Sequence, residues 1–333
     1  MNRPGFRVAT LAVAGALCGI GRQGPAADAP QPPTLRLPAA TAVPTGYAID
    51  LTLDPGRDDF RGTAEIEIRL KETTDLLWLN ATDLKVEKAT AFVGGKSAAI
   101  RPVPGGKDFV GFAFDGPVGP GAMKLRVDYT GLVSRSSTQG LFRQKDGEDW
   151  YLFSQFENTD ARRAFPCFDE PSYKVPWQLT VRIPKGTSAV SNTPIASQAD
   201  DAAGARVVRF ARTQPLPSYL VAVGVGPFEY VDGGRAGTNR TPIRIVTPRG
   251  KSAQARYAAE VTGPLLERLE SYFGIPYPYE KLDHLAVPET VTFGAMENAG
   301  LVTWASRALL APPAEETVRF RRTLAIYSAH EMA

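Results

Sequence analysis

Apolar and polar residues alternate with a period of two through much of the chain from about Leu37 to Tyr230. Tyr47, Ile49, Leu51 and Leu53 are spaced by Ala48, Asp50 and Thr52, and Ala64, Ile66, Ile68 and Leu70 by Glu65, Glu67 and Arg69. The alternation returns at Leu125, Val127 and Tyr129 and at Leu179, Val181 and Ile183. Successive side chains of a strand point to opposite faces, so each run has one apolar and one polar face. That is the pattern of antiparallel sheets with one solvated side. Clusters such as Asp54-Pro55-Gly56 and Pro104-Gly105-Gly106 supply the turns between them. The pattern predicts an all-β N-terminal domain, a sandwich or saddle, over residues 38–235.

The period changes near residue 251. Leu265, Leu266, Leu269, Tyr272 and Phe273 fall at helical spacing, and Gly274 is placed to stop the helix. Gly263-Pro264 inside that span predicts a kink or a restart. A β segment follows, around Leu282 to Val287 and then Thr290 to Thr303. Pro312-Pro313 is expected to open a last helix with Phe320, Leu324 and Tyr327 as its apolar stripe. Residues 241–333 are therefore read as a second, α+β region. No internal repeat and no glycine-rich phosphate loop is visible.

Composition sharpens this picture in three places. Hydrophobic residues make up 43% and charged residues 22%, which excludes a long disordered or coiled-coil chain. The 31 glycines and 28 prolines favour many turns and short strands. The net charge of +3 is too weak to argue for a nucleic-acid partner. Even that small excess belongs to the N-terminus. Residues 1–27 carry Arg3, Arg7 and Arg22 and no acid, so without them 35 basic residues face 35 acidic ones.

The same segment reads as an export signal. Arg3 and Arg7 precede the apolar stretch Val8–Ile20, and the small residues Ala26, Ala27 and Ala29 follow it. The stretch is shorter than the ~20 residues a membrane-spanning helix needs. The expectation is an exported chain, periplasmic or secreted, with no transmembrane segment after processing and a Pro-rich lead-in over 28–37. Gly15-Ala16-Leu17 is a poor context for lipid attachment at Cys18. Once Cys18 is removed, Cys167 is left alone and reads as a small buried hydrophobe.

Three segments carry chemistry. The chain closes on His330-Glu331-Met332-Ala333. In a His-Glu-x-x-His helix the two His share a face and hold zinc, while the Glu activates a bound water. Only the first half of that pattern is present, and His284, on a predicted strand, reads as a structural or surface residue. The second segment is Gly294-Ala295-Met296-Glu297-Asn298. Here Gly294 removes a side chain so that another backbone can lie close, and Glu297 adds a carboxylate. The third is Gln155-Phe156-Glu157-Asn158-Thr159-Asp160-Ala161-Arg162-Arg163-Ala164-Phe165-Pro166-Cys167-Phe168-Asp169-Glu170-Pro171. Within it Arg162, Asp169 and Glu170 can form a salt-bridged corner.

These segments together resemble the aminopeptidase N family of zinc metallopeptidases, the gluzincin aminopeptidases. Gly294–Asn298 resembles its exopeptidase motif, and 155–171 a segment of its β-domain. The likeness runs from about residue 37 to the end and covers the first part of the family's usual length. Trp304 stands where the family usually has tyrosine. The resemblance implies a thermolysin-like catalytic domain beginning at 241 and an enzyme that releases N-terminal residues from peptides. It implies that Glu157 and Glu297 hold the substrate amine, while Gln155 and Met296 meet its first side chain and Ala295 and Asn298 complete the motif. It also implies one zinc ion with His330 as a ligand and Glu331 as general base.

The remaining zinc ligands would lie beyond Ala333, so the chain as given is expected to be an inactive fragment. Two other readings stay open: a non-catalytic peptide-binding or scaffold homologue, and a relative with epoxide hydrolase activity. The latter would be expected to carry glutamine at position 157 and glycine at 295, so Glu157 and Ala295 favour the aminopeptidase.

Overall fold

Inward-turned apolar residues define the strands predicted by the alternation. The computed structural model describes residues 1, 30–290 and 294–333 of the chain. The export-signal reading therefore lies outside the described residues, as do positions 291–293 of the expected β segment. In chain order the strands are β1 (Ala42–Thr52), β2 (Asp59–Leu70), β3 (Thr74–Asn80), β4 (Lys85–Val93) and β5 (Lys96–Ala98). Next come β6 (Ile100–Gly105), β7 (Phe109–Val118), β8 (Gly121–Leu132), β9 (Gly140–Asp146) and β10 (Asp149–Gln155). They are followed by β11 (Trp177–Ile183), β12 (Ser188–Ser191), β13 (Ile195–Asp200), β14 (Arg206–Phe210) and β15 (Val223–Gly226). The last five are β16 (Phe228–Ala236), β17 (Thr241–Pro248), β18 (Leu282–Val287), β19 (Ala295–Met296) and β20 (Leu301–Ala305).

An eight-stranded sheet runs β13-β14-β11-β1-β2-β8-β4-β5, beside a three-stranded sheet β3-β7-β6 and a four-stranded sheet β12-β15-β10-β9. Tyr47, Ile49 and Leu51 of β1 and Ala64, Ile66 and Ile68 of β2 are buried, as their alternation demands. Tyr47 stacks on Trp177 at 3.9 Å, which ties β1 to β11 across their parallel pairing. The core continues into the turn after β10, where Phe156 meets Phe165 edge to face at 5.5 Å. Each such buried ring contributes about 1.5–3 kcal/mol, and here they fix the backbone on either side of Glu157.

A fifth sheet, β16-β17-β18-β20-β19, carries the remaining chemistry. Its centre, β17-β18-β20, is parallel, and β19 closes one end antiparallel to β20. The parallel step from β17 to β18 needs a crossover, supplied by α1 (Arg256–Phe273). This helix is continuous through Pro264 and does not restart there. Gly263 lets it approach β16: a Cβ there would lie 3.2 Å from that of Ala236. Gly274, at φ +72°, ends the helix as expected.

The extended segment expected over 290–303 is shorter than the sequence suggested. β19 spans two residues, and the chain turns through Glu297–Gly300 before β20. A short helix, α2 (Ser306–Leu309), follows unpredicted. The last helix, α3 (Val318–Glu331), starts after Pro312-Pro313, because Thr317 caps it by accepting from the Phe320 amide at 3.2 Å. Leu324 is buried, whereas Tyr327 is partly exposed. No helix among the described residues is long and apolar enough to cross a membrane.

Candidate functional site

Glu157 stands just beyond the end of β10, in a segment fixed from both sides. Arg162 donates to Asp169 at 2.8 Å, and Ser218 donates to the other oxygen of the same buried carboxylate at 2.5 Å. The expected corner thus closes on Arg162 and Asp169, while Glu170 instead accepts from the Leu37 amide at 2.7 Å. Cys167 is buried in this corner.

The Gly294–Asn298 segment is held just as firmly. The Ala305 amide donates to the Gly294 carbonyl at 2.9 Å, and Ala295 and Met296 pair with Trp304 and Thr303. Asn298 is buried and donates to the Thr303 hydroxyl at 3.2 Å, so its amide shapes the turn. Gly300 has φ +69°, and its carbonyl accepts from the buried Lys281 ammonium at 2.6 Å. Lys281 is balanced by Asp283 at 2.9 Å, which also takes Arg244 at 2.6 Å. Ahead of the segment, the Gln144 amide donates to the Glu289 carbonyl at 2.6 Å and accepts from its N–H at 2.9 Å.

The room beside Gly294 has a different use from the one expected. A Cβ at 294 would lie 2.8 Å from the ring of Tyr327, so the missing side chain first of all lets α3 pack against β19. The far edge of β19 has no neighbouring strand among the described residues and can still receive an extended peptide.

Electrostatics place the acids in one region. Burial, and then the nearby charge of Glu297, raise the Glu157 carboxyl above its ordinary value. Glu331, near the end of α3, is pushed up to about 7 by burial and then by Glu297 and Glu157. The Tyr219 phenol is raised by burial and by the same two carboxylates. Glu157 and Glu297 are exposed. Like charges gathered this way penalise one another until a cation arrives.

Among the other expected residues, Gln155 is buried and its Oε1 has no hydrogen-bond partner, leaving an acceptor unused. Met296 is buried, Ala295 is half-buried and His330 is exposed. His284 is wholly buried; its Nδ1 accepts from the Trp304 indole at 2.8 Å. The tryptophan in the usual tyrosine place is thereby tied to the histidine.

Tyr219, Asn192 and Lys281 were missed by sequence reasoning. Tyr219 sits in a short turn with no periodicity, and Asn192 in a loop. The buried Lys281 follows a Pro-Tyr-Glu run that reads as solvent-exposed.

A catalytic zinc needs three protein ligands. His330 offers one imidazole, and among the described residues no group of three His, Cys, Asp or Glu could hold an ion. These residues alone do not fit it. A larger concavity, about 820 Å³, lies over the polar face of the eight-stranded sheet. There Arg126 pairs with Glu65 at 2.7 Å and Arg182 with Asp50 at 3.0 Å, so its charges largely satisfy each other.

Comparison with known proteins places this geometry. Residues 43–220 match the Peptidase M1 N-terminal domain, and residues 257–333 match the Peptidase family M1 domain. Aminopeptidase M1-C of Oryza sativa subsp. japonica is 34% identical over 302 residues, covering 90% of this chain and 34% of the relative. Puromycin-sensitive aminopeptidase of Caenorhabditis elegans is 33% identical over 306 residues, covering 90% and 32%. Aminopeptidase N of Acetobacter pasteurianus is 32% identical over 298 residues, covering 88% of this chain and 82% of the relative. The chain thus spans about a third of the length of the rice and nematode relatives.

Proposed function

The chain belongs to peptidase family M1, and from that premise we propose that it serves the release of N-terminal residues from peptides, with Glu157 and Glu297 holding the substrate's free α-amine. The observation that carries the reading is that Glu157, just beyond β10, feels the charge of Glu297, just beyond the edge strand β19. An ammonium between them relieves their mutual repulsion and donates a charge-assisted hydrogen bond to each. The peptide then extends along Ala295 and Gly294, and the unused Gln155 Oε1 is an acceptor for a polar group of the first residue.

Glu331, with its carboxyl near 7, is suited to exchange a proton close to neutral pH. Zinc would contribute Lewis-acid polarisation of the scissile carbonyl when bound. The described residues do not complete its ligand set. Export, resting on residues 1–27, is part of the same proposal and is tested by N-terminal sequencing of protein recovered outside the cytoplasm.

Calorimetric titration tests the amine reading. Ala-Ala-Ala amide is expected to bind at least tenfold tighter than its N-acetyl form. Equal affinities would remove the amine from the recognition.

A further inference from the structure

A second charged feature lies beside Gly294, at the other end of the same short strand. A cavity of about 340 Å³ opens there, lined by Gly294, Arg307, Thr317, Arg319, Thr323 and Tyr327 among others. Neither Arg307 nor Arg319 makes an ion pair or a side-chain hydrogen bond to a described residue. The acid just before the α3 cap, Glu316, is already occupied by Arg256 at 2.6 Å and Arg321 at 3.3 Å. Two guanidinium groups therefore line one cavity with no carboxylate paired to them among the described residues. Thr317 and Thr323 add hydroxyls, and the Tyr327 ring forms a wall against Gly294.

The placement along the peptide path follows from chain geometry. From Glu297 back to Gly294 is three residues, or about 10 Å at ~3.4 Å per residue. α3 gives a similar length. Thr323 and Tyr327 line the cavity, and Glu331 closes the same helix. At ~1.5 Å per residue these lining positions lie about 6–12 Å back along the helix from Glu331. An acid at one end of this short strand and an arginine-lined cavity beside Gly294, about 10 Å back along the backbone, match an extended peptide carrying its amine at one end and a carboxylate at the other.

We propose that the cavity beside Gly294 is an anion subsite, in which Arg307 and Arg319 receive a carboxylate two or three residues downstream of the substrate's amine. That carboxylate is either the C-terminus of a short peptide or an acidic side chain. Guanidinium groups suit it because their N–H donors match the two oxygens of a carboxylate. The inference deepens the aminopeptidase reading and rests on it for the direction of the peptide.

N-acetylated probes separate the two, because they cannot use the amine site. Affinities of the chain for N-acetyl-Ala-Ala-Ala, its C-terminal amide and N-acetyl-Ala-Glu-Ala amide are measured by calorimetry at low salt. The subsite predicts that at least one of the two carboxylate-bearing probes binds fivefold or more tighter than the neutral amide. The free acid reports a C-terminal source and the glutamyl peptide a side-chain source. The preference should vanish in the Arg307→Gln/Arg319→Gln double variant and persist in part with lysine at both positions. Both arginines are exposed and have no ion pair among the described residues, so thermal melts of the variants should match the parent. Equal affinity for all three probes, no detectable binding of any, or a preference that survives the double variant would overturn the proposal. Failure of the amine reading shows elsewhere, as an equal affinity for free-amine and acetylated amides.

Discussion

The side-chain amide of Asn192, in the turn after β12, donates to the carbonyl of Ala299 at 2.9 Å across 107 positions of sequence. Ala299 lies two residues beyond Glu297. The same amide donates to the Leu220 carbonyl at 2.7 Å, and its oxygen accepts from the Ala222 N–H at 2.9 Å. One buried side chain thus holds the turn carrying Tyr219 and the segment carrying Glu297 in a fixed relation.

Asn192→Ala leaves three backbone groups unpartnered. With ~1–3 kcal/mol for each buried polar group left unsatisfied and some relaxation, the expected loss is about 2–5 kcal/mol in urea denaturation. Asn192→Asp keeps the acceptor and loses both donors, so it should be destabilised as well. Either change should weaken the preference for free-amine peptides.

Two glycines with the same backbone conformation should respond differently to alanine. Gly274 has φ +72° and no heavy atom within 4 Å of a built Cβ, so Gly274→Ala should cost only about 1 kcal/mol, the strain of the left-handed conformation. Gly300 has φ +69°, but its Cβ would fall 2.3 Å from the Asn192 carbonyl oxygen. Gly300→Ala should therefore cost several-fold more, visible as a much larger fall in denaturation midpoint.

His284 sets a pH dependence of stability. Burial lowers its pKa from 6.5 to about 4, against the opposing pull of Asp283. Between those values the unfolded chain binds the proton and the folded chain does not, so stability falls as pH drops from about 6.5 towards 4. At ~1.4 kcal/mol per unit the loss is on the order of 3 kcal/mol. Denaturation at a series of pH values should show this slope, and His284→Gln should flatten it.

Glu297→Gln should separate stability from recognition. The raised Glu157 pKa means that the contribution is favourable at low pH and is lost as pH rises through the folded-state value. Removing the Glu297 charge should raise the melting temperature slightly at pH 7 and leave it unchanged at pH 3. The same variant should bind free-amine peptides about 10–100-fold more weakly, the ~1.5–3 kcal/mol of a charged hydrogen bond.

The period-two runs around Tyr47, Ile66 and Leu125 made the β-domain legible, because one-sided burial leaves its mark on every second residue. Glu157 and Glu297, whose charges the fold brings within reach of each other, each stand in a motif that could be picked out by eye. What the sequence concealed depended on contacts between distant segments. The role of Gly294 is set by Tyr327, 33 positions later, and the place of Asn192 by Ala299. Neither partner carries a local signal. The short β19 was overestimated because Gly300 turns a stretch whose apolar residues on either side read as one strand.

The Glu157 carboxyl itself gives the most direct test of the amine-anchoring account. Its pKa can be followed by carbon-detected NMR titration of the parent chain, of Glu297→Gln, and of the parent saturated with Ala-Ala-Ala amide or its N-acetyl form. The account predicts a raised value in the free chain, a fall on Glu297→Gln, and a larger fall with the free-amine peptide but none with the acetylated one. A Glu157 titration indifferent to both the substitution and the free-amine peptide would contradict it.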